Sequence, residues 1–222
     1  MSKSAESISK GIDISIKNPI LFVPYAAPII IQLIFGVLAY TLSVRYFYTI
    51  QYFDVGLYMG ISLLGSLIAA IFGFIAGCML VDMSNDAISG RPVDLRKSLN
   101  LVMGKIGTLI IAAIIAALCS ITIILLPIAI FIIVIAILDE IDAIESTKKA
   151  LNFVANNIGE VFIIIVIVVG AIASFGLSFI PVVGPFIGAI VNWFLNAIFT
   201  VSAVYFYISL RPPPPPPPPF PT

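Results

Sequence analysis

The sequence predicts an all-α integral membrane protein: a six-transmembrane-helix bundle built from three repeats, each an interfacial amphipathic helix followed by a transmembrane hairpin. Three observations carry this. Of the 222 residues, 61% are hydrophobic and only 10% charged, with a mean hydropathy of +1.19; no water-soluble domain can hide that much apolar surface. The stretch KSLNLVMGKIGTLI from Lys97 returns 52 positions later as KALNFVANNIGEVF from Lys149. Finally, the Lys and Arg residues divide unevenly across a six-span arrangement, as the positive-inside rule requires.

The repeat decides the architecture, because self-similar units stack on one another. The two copies are identical at Lys97/Lys149, Leu99/Leu151, Asn100/Asn152, Val102/Val154, Ile106/Ile158 and Gly107/Gly159. A fainter third copy, Lys10-Gly11-Ile12-Asp13-Ile14, opens the chain and aligns Asn18 with Asn157. Three regions follow: an interfacial helix over 1–18, a six-span domain over 19–210 and a polyproline tail over 211–222.

In residues 1–18, Ile8, Ile12 and Ile16 recur at helical spacing among Lys3, Lys10 and Lys17, the pattern of a helix lying on a membrane surface, with Gly11 weakening it. The polar segment is too long for a cleavable signal, so the first span is expected to be retained. That span covers about Pro19–Val44, with Pro24 and Pro28 in its first turns. Tyr46, Phe47, Tyr48, Tyr52 and Phe53 then mark a headgroup-level loop. The second span, about Val55–Val81, carries Gly65, Ala69, Gly73 and Gly77 every four residues, a small-residue ridge for close helix packing within the chain, with a homo-oligomer or substrate-path face as the alternative. Gly90-Arg91-Pro92 breaks the chain, and Asp94 caps a helix from Leu95 on which Leu95, Leu99, Val102 and Ile106 share a face.

The apolar run 106–138 decides the topology. As one helix it would reach about 50 Å, against about 30 Å of hydrocarbon. Turning back near Pro127 resolves the mismatch. It also leaves Lys3, Lys10, Lys17, Arg91, Arg96, Lys97, Lys105, Lys148, Lys149 and Arg211 on one side and Arg45 alone on the other. A single crossing would spoil this asymmetry. Both termini are therefore expected in the cytoplasm of a multi-pass cell-membrane protein.

Asp139, Glu140, Asp142 and Glu145 suit the N-terminus of the third amphipathic helix, with Glu145 facing Lys149. The fifth span is expected over about Ile158–Phe179, an outer turn at Pro181–Pro185 and the sixth over about Phe186–Leu210. Arg211 and eight prolines make a stiff rod of about 25 Å. Arg211, Pro214 and Pro217 fit a basic-x-x-Pro-x-x-Pro pattern for an aromatic-lined groove on a protein partner.

Polar groups within the spans are few. Asn192 and Asn196, one turn apart beside Trp193, form an intramembrane polar face that either hydrogen-bonds between helices or lines a path. Gln32 stands alone, Ser174 and Ser178 follow Gly170 as packing residues, and Asp82 and Asp86 read as a solvated pair at the inner end of the second span. Cys78 and Cys119 read as small buried hydrophobes. There is no histidine, nucleophile–base pair, phosphate loop or metal-ligand spacing. Zero net charge gives no field for nucleic acid. No enzyme, cofactor or metal is expected. Two functions remain: a non-enzymatic protein organising lipid or protein partners at the cytoplasmic face, with Lys10, Lys97 and Lys149 as membrane-surface cations, or a transporter of small molecules or lipids.

Gly90-Arg91-Pro92 before a Ser-Leu helix, Leu126-Pro127-Ile128 within the long run, and Ala150-Leu151-Asn152 before the fifth span together resemble one family. It is the six-span membrane domain fused to some bacterial glycerophosphoryl diester phosphodiesterases, with its stand-alone prokaryotic relatives. The resemblance covers about residues 8–210. It implies a fold and not a hydrolase, since this chain carries no phosphodiesterase domain.

Overall fold

A computed structural model describes residues 3–50, 55–122, 125–161 and 184–211, with side chains placed for all of these except 44–50, 184–190 and 192. The expected outer turn at 181–183, the fifth span beyond Val161 with Gly170, Ser174 and Ser178, the aromatics Tyr52 and Phe53, and the tail prolines lie outside the described residues. Among the described residues the fold is all-helical, with no strand.

The helices are α1 (Lys3–Lys17), a 3-10 segment (Pro19–Tyr25), α2 (Ala26–Ile50), α3 (Val55–Ile88), α4 (Leu95–Gly104), α5 (Ile106–Ser120), α6 (Leu126–Leu138), α7 (Ala143–Asn156) and α8 (Gly184–Leu210). Three stretches are long and apolar enough to cross a membrane: Pro19–Ser43, Val55–Ile88 and Trp193–Leu210. A fourth is reached if α4 and α5, which meet at a 78° bend, count as one broken span. The expectation of a membrane-embedded, all-helical chain is met at that level.

Two elements run longer than expected. Helix α2 continues to Ile50, so Tyr46, Phe47 and Tyr48 lie on a helix and not in a loop. Nothing between Val37 and Ile50 is a Gly or Pro that would stop it. Helix α3 continues seven residues past Val81 because its polar end is built into the fold. At about 51 Å it exceeds the hydrocarbon thickness, so one end must emerge. Gly90 closes it in the left-handed region (φ +68°), with Arg91 N–H bonding Asp86 C=O at 2.8 Å.

The run 106–138 divides into α5 and α6, which pack against each other. Lys105, just before α5, places its Nζ 2.9 Å from Glu140 Oε2, just after α6. The run therefore doubles back. Glu140 takes the left-handed conformation (φ +56°) that turns the chain into α7.

The core lies where α3, α6, α7 and α8 meet, with Leu80, Met83, Phe131, Ile132, Ile135 and Phe206 sealed from solvent. Phe153 of α7 packs edge-to-face against Phe131 (ring centroids 4.8 Å) and Phe206 (5.8 Å), an aromatic cluster joining three helices. Helix α1 docks on α8 through small side chains. Ser4, Ser7, Gly11 and Ser15 are its buried face, and a β-carbon on Gly11 would collide with Ser202 Oγ and lie 3.0 Å from Ser202 Cα. Gly11 is thus a close-approach site.

Candidate functional site

Two polar clusters stand out, one joining α3 to α4 and the other joining the end of α6 to α7 and α8. Asp94 starts α4 by accepting from Arg96 N–H (2.8 Å) and Lys97 N–H (3.3 Å). Asp142 starts α7 in the same way, accepting from Ile144 N–H (2.9 Å) and Glu145 N–H (2.8 Å). Each carboxylate satisfies two amides that the helix leaves open.

Each of these helices is also tied down by a lysine. Lys97 donates to Asp86 Oδ2 at 2.6 Å, and Arg91 Nε donates to Asp86 Oδ1 at 2.8 Å. Asp86 is 1% exposed as a side chain, while its two cations stay half in solvent. One turn earlier, Asp82 accepts from Ser98 Oγ at 2.6 Å. The expectation of a solvated pair fails here: Asp82 and Asp86 are buried at 6% and 1% exposure. Burial is tolerated because donors from α4 and the α3–α4 turn meet the carboxylates. The Asp86 hydrogen bond, with Asp82 nearby, holds the Lys97 ammonium above its ordinary pKa.

Lys149, the repeat partner of Lys97, bonds Asp139 Oδ2 at 3.1 Å and not Glu145. Asp139 also accepts from Tyr207 O–H at 2.7 Å and pairs with Arg211 at 3.7 Å. One carboxylate thus ties the end of α6 to α7 and α8. Both oxygens of Asp86, like Asp139 Oδ2, already face donors, and no group of three His, Cys, Asp or Glu able to hold a metal occurs among the described residues.

The register expected from the sequence repeat can be laid on the three short helices. α1, α4 and α7 end at Asn18, Lys105 and Asn157, which the sequence repeat aligns, and none of the three is helical (φ −125°, −113° and −126°). Asn18 and Asn157 each return a side-chain amide to the carbonyl four residues back, Ile14 at 3.0 Å and Phe153 at 2.8 Å. Gly11, Ser98 and Ala150, equivalent in that register, are all buried, as are Ser15, Val102 and Val154. The apolar face expected on α4 is therefore split: Val102 is sealed and Leu99 is exposed.

Of the remaining sequence-predicted residues, the ridge on α3 faces the same chain. Gly65 lies against Phe35, where a β-carbon would sit 2.6 Å from Cγ; Gly73 faces Pro28, Gly77 faces the Tyr25 hydroxyl, and Ala69 is buried. Lys10 is exposed. Asn196 is exposed on α8, and the side chain of Asn192 lies outside the described residues. Beside them, Trp193 Nε1–H donates to Phe22 C=O at 2.8 Å. Gln32 is exposed, Cys78 is buried and Cys119 half-buried, and both thiols are free. Pro214 and Pro217 lie outside the described residues.

Sequence reasoning named Asp82, Asp86 and Asp139 without their role as anchors, and it did not separate the outward cations Arg96 and Lys148 from the lysines beside them. A signal existed for the cations: each immediately precedes its repeat lysine, as Arg96-Lys97 and Lys148-Lys149. No family model matches the chain, and neither a curated protein nor a solved structure does.

Proposed function

We propose that this chain is a polytopic membrane protein with no enzymatic chemistry of its own, which organises lipid or protein partners at the cytoplasmic face. Its finer architecture, on this reading, is six spans in three hairpins, each hairpin led by an interfacial helix, with both termini cytoplasmic.

The observation that carries it is the common register of α1, α4 and α7. Equivalent residues end the helices, face inward and face outward. The doubled-back 106–138 run supports it too, since it lets α4 and α7 share a leaflet. Cations concentrated on one leaflet attract anionic lipid, each contributing about 1 kcal/mol near the surface. The resemblance at residues 90–92, 126–128 and 150–152 agrees with the arrangement, and the membrane family it points to carries no activity over.

Accessibility labelling of Tyr48→Cys, Ile88→Cys and Glu145→Cys in sealed membranes tests the reading. Position 48 should react from outside only, and positions 88 and 145 from inside only. Opposite labelling of 88 and 145 would sink it. For the tail, Arg211 pairs with Asp139, and the basic-x-x-Pro-x-x-Pro pattern that starts at Arg211 suits a partner with an aromatic-lined groove. A crosslinking pull-down with and without residues 211–222 tests this; identical captures would exclude the tail as ligand.

A further inference from the structure

Placed in register, α1, α4 and α7 leave one apolar stripe uncovered. Ile12, Leu99 and Leu151 are equivalent positions and are exposed at 40%, 40% and 46%. One turn later Ile16 and Met103 are exposed at 70% and 51%, and α7 adds Ile144 at 63%. None belongs to the core.

On α4 and α7 this stripe also carries a cation. Arg96 precedes Leu99 by three residues, and Lys148 precedes Leu151 by three, the same face of a helix. Both are exposed, and neither forms an ion pair among the described residues. The next residue in each helix turns inward instead, Lys97 to Asp86 and Lys149 to Asp139. The doublets Arg96-Lys97 and Lys148-Lys149 thus separate into an outward and an inward cation.

We propose that the outward stripes of α4 and α7 seat on a bilayer bearing anionic phospholipid, with Arg96 and Lys148 on the headgroup phosphates, while Lys97 and Lys149 act as internal staples that set the orientation. This rests on the membrane reading above and adds which lipid and which residues. The 78° bend between α4 and α5 argues for the bilayer as occupant. With the apolar α5 entering the hydrocarbon, α4 lies near the membrane plane, so Leu99 and Met103 dip inward. The arginine one turn away has a stem long enough to reach the headgroups. The two sites are unequal: Glu145 borders the α7 stripe, whereas α4 itself carries no acidic residue and Asp94 before it is engaged as a cap.

The test reconstitutes the full chain in vesicles containing photoactivatable phosphatidylglycerol or, separately, photoactivatable phosphatidylcholine, and maps the crosslinks by mass spectrometry. Peptides of α4 and α7 should capture phosphatidylglycerol in excess, by up to about five-fold per cation, the factor that about 1 kcal/mol sets. The double variant Arg96→Gln/Lys148→Gln should abolish the excess, and Arg96→Gln alone should remove more of it than Lys148→Gln. Lys97→Gln/Lys149→Gln should lower thermal stability and keep the excess in the protein that remains folded. If the excess survives loss of Arg96 and Lys148, or disappears only with loss of Lys97 and Lys149, the assignment is overturned. If neither lipid crosslinks the two stripes, the interfacial placement itself fails, a result distinct from lost headgroup selectivity.

Discussion

Lys105 and Glu140 stand 35 positions apart in the chain and 2.9 Å apart at their charged atoms. A continuous helix would separate them by about 52 Å. As an ion pair the contact contributes little, about 0.2–1 kcal/mol for a pair open to solvent. Its value is as a ruler. Lys105→Cys with Glu140→Cys should be joined within one chain by a short bifunctional maleimide, seen as a mass shift of the monomer. Failure to crosslink in the folded protein would mean that 106–138 does not double back.

The docking of α1 on α8 gives an opposite sign to helix propensity. Gly11→Ala in an isolated helix stabilises by about 1 kcal/mol. Here the added methyl meets Ser202 at both side chain and backbone, so the change should destabilise by about 1–3 kcal/mol. Melting in detergent would read the sign. Ser202→Gly, introduced beside Gly11→Ala, should recover most of the loss.

Asp86 holds two cations that remain half-exposed. Asp86→Asn should therefore cost about 1–3 kcal/mol, the loss of charge-assisted bonds at a buried acceptor, because Arg91 and Lys97 can return to water. Asp94→Ala, which removes only a cap, should cost about 1 kcal/mol. Denaturant titration of both variants checks the order.

The Lys97 ammonium is held above its ordinary pKa, first by its hydrogen bond to Asp86. A folded pKa raised above the unfolded one, about 10.4, stabilises fully below the unfolded value. That contribution is lost as pH rises through the folded value. Protection of α4 amides from hydrogen exchange should accordingly weaken under strongly alkaline conditions. Lys97→Arg, which stays charged there, should weaken less. Equal loss in both proteins would exclude Lys97 as the titrating group.

What was legible in the sequence was local. Gly90 as a turn and Asp94 as a cap follow from chemistry within a few residues of each site. The doubling back of 106–138 followed from length and charge. Burial of Asp82 and Asp86 was not legible, since it depends on Ser98 and Lys97 arriving from the next helix, beyond a turn of unknown direction. The split face of α4 was hidden for a related reason. Spacing shows which residues share a face, and it does not say whether protein or lipid covers Leu99. In the same way, glycine at position 11 read as a weakness until Ser202 was seen against it.

The contact between Gly11 and Ser202 also sets an order of assembly. Ser202 is synthesised 191 residues after Gly11, so Gly11 has no seat until α8 has been made. The nascent chain must carry its first helix undocked along the membrane until its last described one is in place. Docking of α1 on α8 therefore waits for residue 202, and a nascent chain released earlier leaves α1 without that berth.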